Sequence, residues 1–311
     1  KPDFHRPTSD EIILYYYPLS YYSQVVLMAL YHRQIPFTAC ALDIRRGDQF
    51  TPEFLALSPR GEVPVLQDGI NERTYTDSLQ ILHHLEHNPL LGAHGYSLAP
   101  EDPQEEFRCE EFARKLHRLK LDTLTFGSVL FNDLDIEPQG HFASEQNREK
   151  MREYIRKRKA IYRTEALNFP EYSGTLKRKL DDIQHEWHFI EKREDYETLL
   201  ISVEQALDEC EAELESRHHR GHPKRRGSMV GNDTWWLCSH DICVADIFLG
   251  ILIWRLFELG FYKRMIEPRP YLTKYFERLQ RVDSFGRATH PKAVASEVAL
   301  NQNDMNEKRV P

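Results

Sequence analysis

The hexapeptide Gly61-Glu62-Val63-Pro64-Val65-Leu66 decides the fold of this chain. A proline that opens an apolar strand is unusual, because proline cannot donate to a β-ladder and is confined to strand starts and edges. Such a proline, often cis, leaves the backbone of the preceding residue able to pair with another group, typically an extended peptide. We therefore expect Val63 to offer its N–H and C=O groups to a peptide-like ligand, with Pro64 fixing the geometry.

Two further polar points accompany this loop. Asp77-Ser78, thirteen residues after the proline, opens a stretch with leucines at helical spacing. The first backbone N–H groups of such a helix, together with the two side chains, form a site suited to a carboxylate. Ser20 follows an apolar run and also stands where a helix begins. Three polar points on three loops predict a peptide-like thiol ligand.

The order of elements around these loops predicts the first domain. An apolar strand at 12–16, a helix and a second strand at 37–42 form a βαβ unit. A hairpin over 63–76 and a helix over 77–87 follow. This pattern is α+β with a mixed sheet, and we expect residues 11–88 to form a thioredoxin-like domain.

The rest of the chain is predicted to be helical. A linker rich in Pro, Gly and His covers 89–103, and an all-α domain covers 104–290. Its first helix is expected over 105–130, and a long helical insertion over about 138–195. A polar tail occupies 291–311.

One stretch of this region holds neither Gly nor Pro between Thr175 and Arg220. Its two apolar series alternate steps of four and three, but the phase slips by one residue across Glu191–Asp195. Either two helices meet there or one helix carries a skip in its seam. A single helix of that length would span roughly 70 Å, so the region should project or fold back as a hairpin. A mobile basic loop is expected over 217–227.

The bulk composition limits the function classes. The chain has 311 residues and a formal net charge of −8, which argues against nucleic acid as a partner. It has no apolar run of 18 residues, and its N-terminus lacks a signal-peptide core. Five scattered cysteines without a CxxC pair predict reduced thiols and a cytosol-facing location of the protein. No zinc or other metal site is expected.

Ser20, Val63-Pro64 and Asp77-Ser78 together resemble the glutathione transferase superfamily, as does the run Asp241-Ile242-Cys243-Val244-Ala245-Asp246. In that family a Ser or Thr caps the helix and an Asp three residues on reaches back. Here the cap position holds Cys243, with Asp246 available for the box. A thiol is a weak acceptor, so we expect this cap to contribute less than the usual ~1 kcal/mol.

More narrowly, Tyr15-Tyr16-Tyr17-Pro18-Leu19-Ser20 resembles the insect delta-class transferases. Over about residues 11–290 the chain resembles the ganglioside-induced differentiation-associated protein family, mitochondrial outer-membrane relatives of the transferases, as an insect-like member. The loop 61–66, the helical insertion and the run Trp236-Leu237-Cys238 carry this resemblance.

The resemblance implies glutathione as a ligand or substrate and assigns roles to the polar points. Ser20 would be the catalytic hydroxyl, Val63 with Pro64 would hold the cysteinyl backbone, and Asp77 and Ser78 would hold the γ-glutamyl ammonium and carboxylate. Each has an ordinary structural alternative: Ser20 and Asp77-Ser78 as helix caps, and Val63-Pro64 as a turn that builds the fold.

Departures from the delta-class pattern bear on turnover. Glu62 adds a carboxylate beside a ligand that is itself anionic. Arg60 would offset that charge or bind the glycyl carboxylate. Gln24 and Gln49 stand where the delta pattern has Arg and His. The site therefore reads as one with altered ligand preference.

Two function classes follow. The resemblance implies a regulator of mitochondrial dynamics (fission) and redox state with weak or absent transferase activity; the alternative is an active serine-type glutathione transferase acting on electrophiles. The first implies a place on the cytosolic face of the mitochondrial outer membrane through a C-terminal segment not in this chain, the second a cytoplasmic one. A homodimer and protein partners at the insertion 138–195 are expected, and no cofactor.

Basic and histidine clusters in the insertion have two interpretations each. Residues 156–159 and 177–179 are basic runs that could meet an anionic membrane or an acidic partner, or could be charged helix faces balanced by nearby Asp and Glu. His185 and His188 could hold a metal, but solvated helix positions explain them better.

Overall fold

The computed structural model describes residues 4, 6–88, 90–91, 96–220 and 236–290. The chain divides into two compact units. Unit 1 comprises residues 1–95, 153–186 and 283–311, and unit 2 comprises residues 96–152 and 187–282. The polar tail 291–311 lies outside the described residues.

Unit 1 is built on a four-stranded mixed sheet in the order β2-β1-β3-β4. Strand β1 pairs in parallel with β2 and antiparallel with β3, which pairs antiparallel with β4. The strands are β1 Ile12–Tyr16, β2 Thr38–Ala41, β3 Val65–Asp68 and β4 Arg73–Tyr75. Helices α1 Tyr21–His32, α2 Pro52–Leu57 and α3 Ser78–His87 alternate with them. The thioredoxin-like prediction is confirmed.

The helices of the remaining chain follow in sequence: α4 Pro103–His117, α5 Leu121–Leu130, α6 Gly140–Ala143, α7 Glu145–Asn168, α8 Ser173–Glu191, α9 Arg193–Arg220, α10 Val244–Leu259, α11 Tyr262–Met265, α12 Pro270–Leu279 and α13 Asp283–Thr289. A single helix over 105–130 was the wrong expectation. The N–H of Leu119 turns back to the C=O of Leu116, and the N–H of Leu121 to that of Leu119, which separates α4 from α5 without any Gly or Pro.

The phase slip across Glu191–Asp195 marks a real helix boundary. Helix α8 ends at Glu191 and α9 begins at Arg193, so two helices meet inside the predicted interval. Helix α9 extends to Arg220, so residues 217–220 are helical rather than part of a loop, and the rest of the expected basic loop lies outside the described residues.

The core of unit 1 lies on both faces of β1, whose five residues are all buried. One apolar cluster joins Ile13, Tyr15, Leu42, Phe54 and Val65. On the helical side, α1 packs against α13 and α3. Central strands that are buried on both faces read as continuous apolar runs, which is why 12–16 was recognisable in the sequence.

Helices α7 and α8 each pass from one unit to the other, and residues 153–168 and 173–186 belong to unit 1. Within unit 1 their apolar faces join Phe50 and Leu55 in a second buried cluster. Tyr162 of α7 meets the ring of Phe50 edge-on, with centroids 5.0 Å apart. These helices therefore cover the segment between β2 and β3.

In unit 2, the helix predicted around the capping motif is α10, which begins after Cys243. Asp246 accepts from the Cys243 N–H at 3.0 Å and from the Leu237 N–H at 2.8 Å, and Tyr275 donates to it at 2.9 Å. The Cys243 thiol lies 3.1 Å from Asp246 Oδ2 and donates to the carboxylate. Among the described helices, none is long and apolar enough to cross a bilayer.

Candidate functional site

The sheet brings the first two predicted loops together. Tyr15 of β1 pairs with Val65 of β3 in an antiparallel register, so the end of β1 lies beside the beginning of β3. Ser20 follows β1, and Val63 precedes β3. Both residues therefore stand at the same end of the sheet.

The third predicted loop reaches the same end. Leu66 at the start of β3 pairs with Tyr75 at the end of β4, and α3 begins three residues later at Ser78. Because antiparallel neighbours alternate direction, the beginning of α3 lies beside the beginning of β3. The topology thus places all three polar points on one edge of the sheet.

Ser20 is the N-cap of α1. Its hydroxyl accepts from the N–H of Ser23 at 3.4 Å, and the side chain is partly exposed. A hydroxyl that accepts in a cap keeps its proton for donation to another group. The helix N-terminus also favours negative charge nearby. Capping and donation to a thiolate are therefore compatible roles for this serine.

Val63 and Pro64 are joined by a cis peptide bond. Among the described residues, none forms a hydrogen bond with the backbone of Val63. The Val63 side chain packs on the core cluster of unit 1, and the residue is only partly buried. The packing of its side chain therefore fixes the position of Val63. Its backbone N–H and C=O make no hydrogen bond within the described chain.

At the start of α3, Asp77 caps the helix, whereas the Ser78 hydroxyl does not. Asp77 is the N-cap, and its Oδ1 accepts from the Gln80 N–H at 3.0 Å. Ser78 is 2% exposed, and its hydroxyl has no hydrogen-bond partner among the described residues. A buried hydroxyl without a partner is costly, and such groups concentrate where a ligand or water completes them.

Arg60 is engaged in ion pairs. It donates to Glu62 at 2.8 Å and to Asp182 of α8 at 2.7 Å. Lys179, also from α8, lies 2.5 Å from the other oxygen of Glu62. Two cations and two carboxylates form one network, which joins the loop before Val63 to α8 within unit 1.

The charge on Glu62 is held by this network. Burial by itself raises the pKa of the carboxyl, but the Lys179 ammonium and the Arg60 guanidinium outweigh that effect and leave the pKa below its ordinary value. Glu62 is therefore an ionised, neutralised member of an ion-pair cluster rather than an isolated carboxylate facing an anionic ligand.

Lys179 and Asp182 were not recognised as site residues in the sequence. The run 177–179 reads as a solvated charged face, yet the side chain of Lys179 is only 8% exposed. The signal was its spacing, since Lys179 falls three residues after buried Leu176 and four before buried Ile183. A cation on the apolar stripe of a helix needs a charged partner, and here that partner is the partly buried Glu62.

The other clusters of the insertion are at least partly satisfied internally. Arg158 of the run 156–159 is 7% exposed and pairs with Glu186 of α8 at 3.2 Å. The His185 ring bonds the Asp181 carbonyl at 2.8 Å, and His188 faces Asp195 at 3.7 Å. In the described part of the chain no three His, Cys, Asp or Glu residues are grouped so as to hold a metal ion.

Comparison with known proteins bears on the same region. Residues 14–90 match the family model described as glutathione S-transferase, N-terminal domain. The first domain is thus similar to a glutathione S-transferase N-terminal domain. With helices after it, the chain has the fold of the glutathione transferase superfamily.

Individual relatives extend the likeness. Over 105 residues the chain is 36% identical to maleylacetoacetate isomerase maiA of Aspergillus fumigatus, a match covering 33% of this chain and 45% of that one. It is 22% identical to glutathione S-transferase TCHQD of Arabidopsis thaliana, over 88% of this chain and 87% of the relative. The chain spans less than half the length of the relatives it matches at 36–42% identity.

Among solved structures, maleylacetoacetate isomerase from Methylobacterium extorquens AM1, with bound malonate and glutathione, superposes with a TM-score of 0.53 at 21% identity. The superposition covers 90% of this chain and 99% of that one. At this identity the likeness shows a shared fold, including the helical part that the domain model does not reach.

Proposed function

We propose that unit 1 binds glutathione, and that the protein is a glutathione-transferase-like regulator of mitochondrial dynamics (fission) and redox state with weak or absent transferase activity. The observation that carries the binding proposal is the buried Ser78 hydroxyl, which lacks a partner in the described chain. It stands at a helix N-terminus on the same sheet edge as the unpaired backbone of Val63. A carboxylate at Ser78 and an extended backbone at Val63 are complementary to a γ-glutamyl peptide.

Weak turnover follows from the charges. Glutathione is a net anion, and its thiol is ionised only when positive charge or donors favour the thiolate. The two cations of the ion-pair network before Val63 are engaged, Arg60 by Glu62 and Asp182, and Lys179 by Glu62. Ser20 with the α1 dipole remains as the group able to stabilise a thiolate.

The narrower assignment to the ganglioside-induced differentiation-associated protein family is supported by the loop 61–66 and by the long helical insertion, which is present as α7 and α8. On this proposal the protein acts at the cytosolic face of the mitochondrial outer membrane through a C-terminal segment. It forms a homodimer and meets protein partners through residues 138–195. Imaging of the tagged full-length protein tests the location, mitochondrial length after depletion tests the role, and light scattering tests the homodimer.

The alternative function is an active serine-type transferase. Its support is the position of Ser20, a hydroxyl with a proton to donate at the start of α1. The two proposals differ in the expected rate of glutathione conjugation and in the expected effect of removing the Ser20 hydroxyl. Fast conjugation of an aryl halide that collapses in Ser20→Ala would establish the enzyme and overturn the weak-activity proposal.

Calorimetric titration of the whole chain with reduced glutathione tests binding. We expect micromolar to millimolar affinity, lost or strongly reduced in Asp77→Ala. Absence of heat in the wild-type protein, confirmed as folded by circular dichroism, would eliminate glutathione as the ligand. A wild-type signal that persists unchanged in Asp77→Ala would move the binding site away from α3.

A further inference from the structure

The order of strands sets the direction in which a peptide lies across this edge. From one side of the sheet to the other the order is β4, β3, β1, β2. The start of α3 adjoins β4, Val63 adjoins β3, and the segment Leu42–Phe50 follows β2. A γ-glutamyl peptide with its first residue at Ser78 and its cysteine at Val63 therefore directs its C-terminal end away from α3 toward the β2 side.

That side is covered by the insertion helices. Phe50 and Leu55 are buried against α7 and α8, and Tyr162 packs edge-on upon Phe50. The covering is apolar at Phe50 and charged at Arg60, where α8 contributes Lys179 and Asp182. At the α3 side of this edge, the Ser78 hydroxyl has no hydrogen-bond partner in the described chain. At the α8 side, the apolar side chains are packed and the charged side chains are paired with one another.

The charged part is balanced. Arg60 and Lys179 carry two positive charges, and Glu62 and Asp182 carry two negative ones, all within ion-pair distance. A ligand carboxylate that reached Arg60 would meet a guanidinium that already donates to Glu62 and Asp182. The Asp182 carboxylate would then stand beside the ligand carboxylate on the same guanidinium, and two like charges at such a distance repel.

We infer that Asp182 sets the ligand preference of this site, favouring γ-glutamyl-cysteinyl thiols whose C-terminal end carries no free carboxylate over glutathione itself. The inference rests on the proposed binding of a γ-glutamyl thiol. The expected ligands are small esters or amides at the glycyl end. Arg60 and Lys179 are already neutralised by Glu62 and Asp182, so no unpaired cation of this network is left for a ligand carboxylate. Asp182 is a specificity-determining residue supplied by the insertion.

The test is calorimetric titration of the full chain with reduced glutathione and with its glycyl ethyl ester, which differ only in that carboxylate. We expect the wild-type protein to bind the ester at least threefold more tightly than glutathione. In Asp182→Asn one negative charge beside Arg60 is lost at nearly constant shape, while Arg60 keeps its ion pair with Glu62. The ratio should then fall at least threefold, through tighter binding of glutathione.

Asp181→Asn is the matched control. This substitution also removes one negative charge from α8, but at an exposed residue. It therefore changes the net charge of the protein by the same amount as Asp182→Asn. We expect its ester-to-glutathione ratio to equal that of the wild type. Thermal unfolding of both variants checks that α8 remains in place.

The outcomes separate the two proposals. If glutathione binds the wild type as tightly as the ester, or if Asp182→Asn shifts the ratio no more than Asp181→Asn, the specificity inference is overturned and the binding proposal stands. If neither ligand binds the wild-type protein or Asp182→Asn, both proposals fail.

Discussion

At the scale of single residues, neighbouring side chains at the start of α3 have opposite consequences. Asp77 satisfies a helix N–H, whereas the Ser78 hydroxyl is buried without a partner in the described chain. A cap stabilises the fold, and an unsatisfied hydroxyl does not. Asp77 therefore contributes to stability as well as to the proposed ligand site, whereas Ser78 contributes to the ligand site alone.

We predict that Ser78→Ala leaves the free energy of unfolding within about 0.5 kcal/mol of the wild type while weakening glutathione binding at least tenfold, whereas Asp77→Ala costs about 1 kcal/mol. Urea unfolding and calorimetric titration measure the two effects. A loss of stability in Ser78→Ala equal to that in Asp77→Ala would show that Ser78 is a structural residue.

The loop before Val63 depends on one glycine. Gly61 has φ +60°, and a Cβ there would lie 3.0 Å from Cε1 of Phe50. We predict that Gly61→Ala destabilises the protein by about 1–2 kcal/mol, because a side chain in the left-handed region is strained even before the contact. Gly174→Ala is the control. In the described structure nothing lies within 4 Å of its Cβ position, and it is helical, so unfolding by urea should show equal or greater stability.

At the scale of elements, α8 is attached to the first domain through charge as well as through its apolar stripe. Lys179 is buried and lowers the pKa of Glu62 against the opposing effect of burial. A carboxylate with a depressed pKa stabilises the fold above its unfolded pKa of about 4.3, and this stabilisation is lost as the pH falls through the folded pKa.

We predict that Lys179→Met lowers the free energy of unfolding by about 1–2 kcal/mol at pH 7, and that this deficit narrows as the pH falls below about 4.5. Lys177→Met, at an exposed position on the same helix, should show neither effect. Urea unfolding at pH 7 and pH 4 makes the comparison. A deficit that stays constant with pH would mean that Lys179 acts through packing alone.

The elements also show which features a sequence reveals. Strand β1 was predictable because its continuous apolar run indicates burial. The boundary between α8 and α9 was predictable because a change of phase in the apolar pattern indicates that a new helix begins. The break between α4 and α5 was not, since no Gly, Pro or capping side chain marks residues 118–120. Asp77-Ser78 was visible as a helix start, but the capture of Arg60 by Asp182, 122 residues away in sequence, leaves no local trace.

At the scale of the whole molecule, the five cysteines, all in the described part, are free thiols. Four are buried, and Cys40 is partly exposed at the strand β2. We predict that Ellman's reagent titrates about one thiol in the native protein and five after denaturation, and that Cys40→Ser removes the fast-reacting one. Two or more fast thiols in the native state would contradict this burial pattern.

The path of the chain through the two units has a practical consequence. Residues 153–186 and the helix α13 return to pack on the first domain, against Phe50 and Leu55 and against α1. A gene truncated at the predicted linker would encode the sheet without residues 153–186 and α13. The apolar surfaces that these elements cover in the whole protein would then be exposed. Such a fragment should aggregate, so likeness to a known domain does not make this domain able to fold alone. Dissection of the protein therefore has to begin with point substitutions.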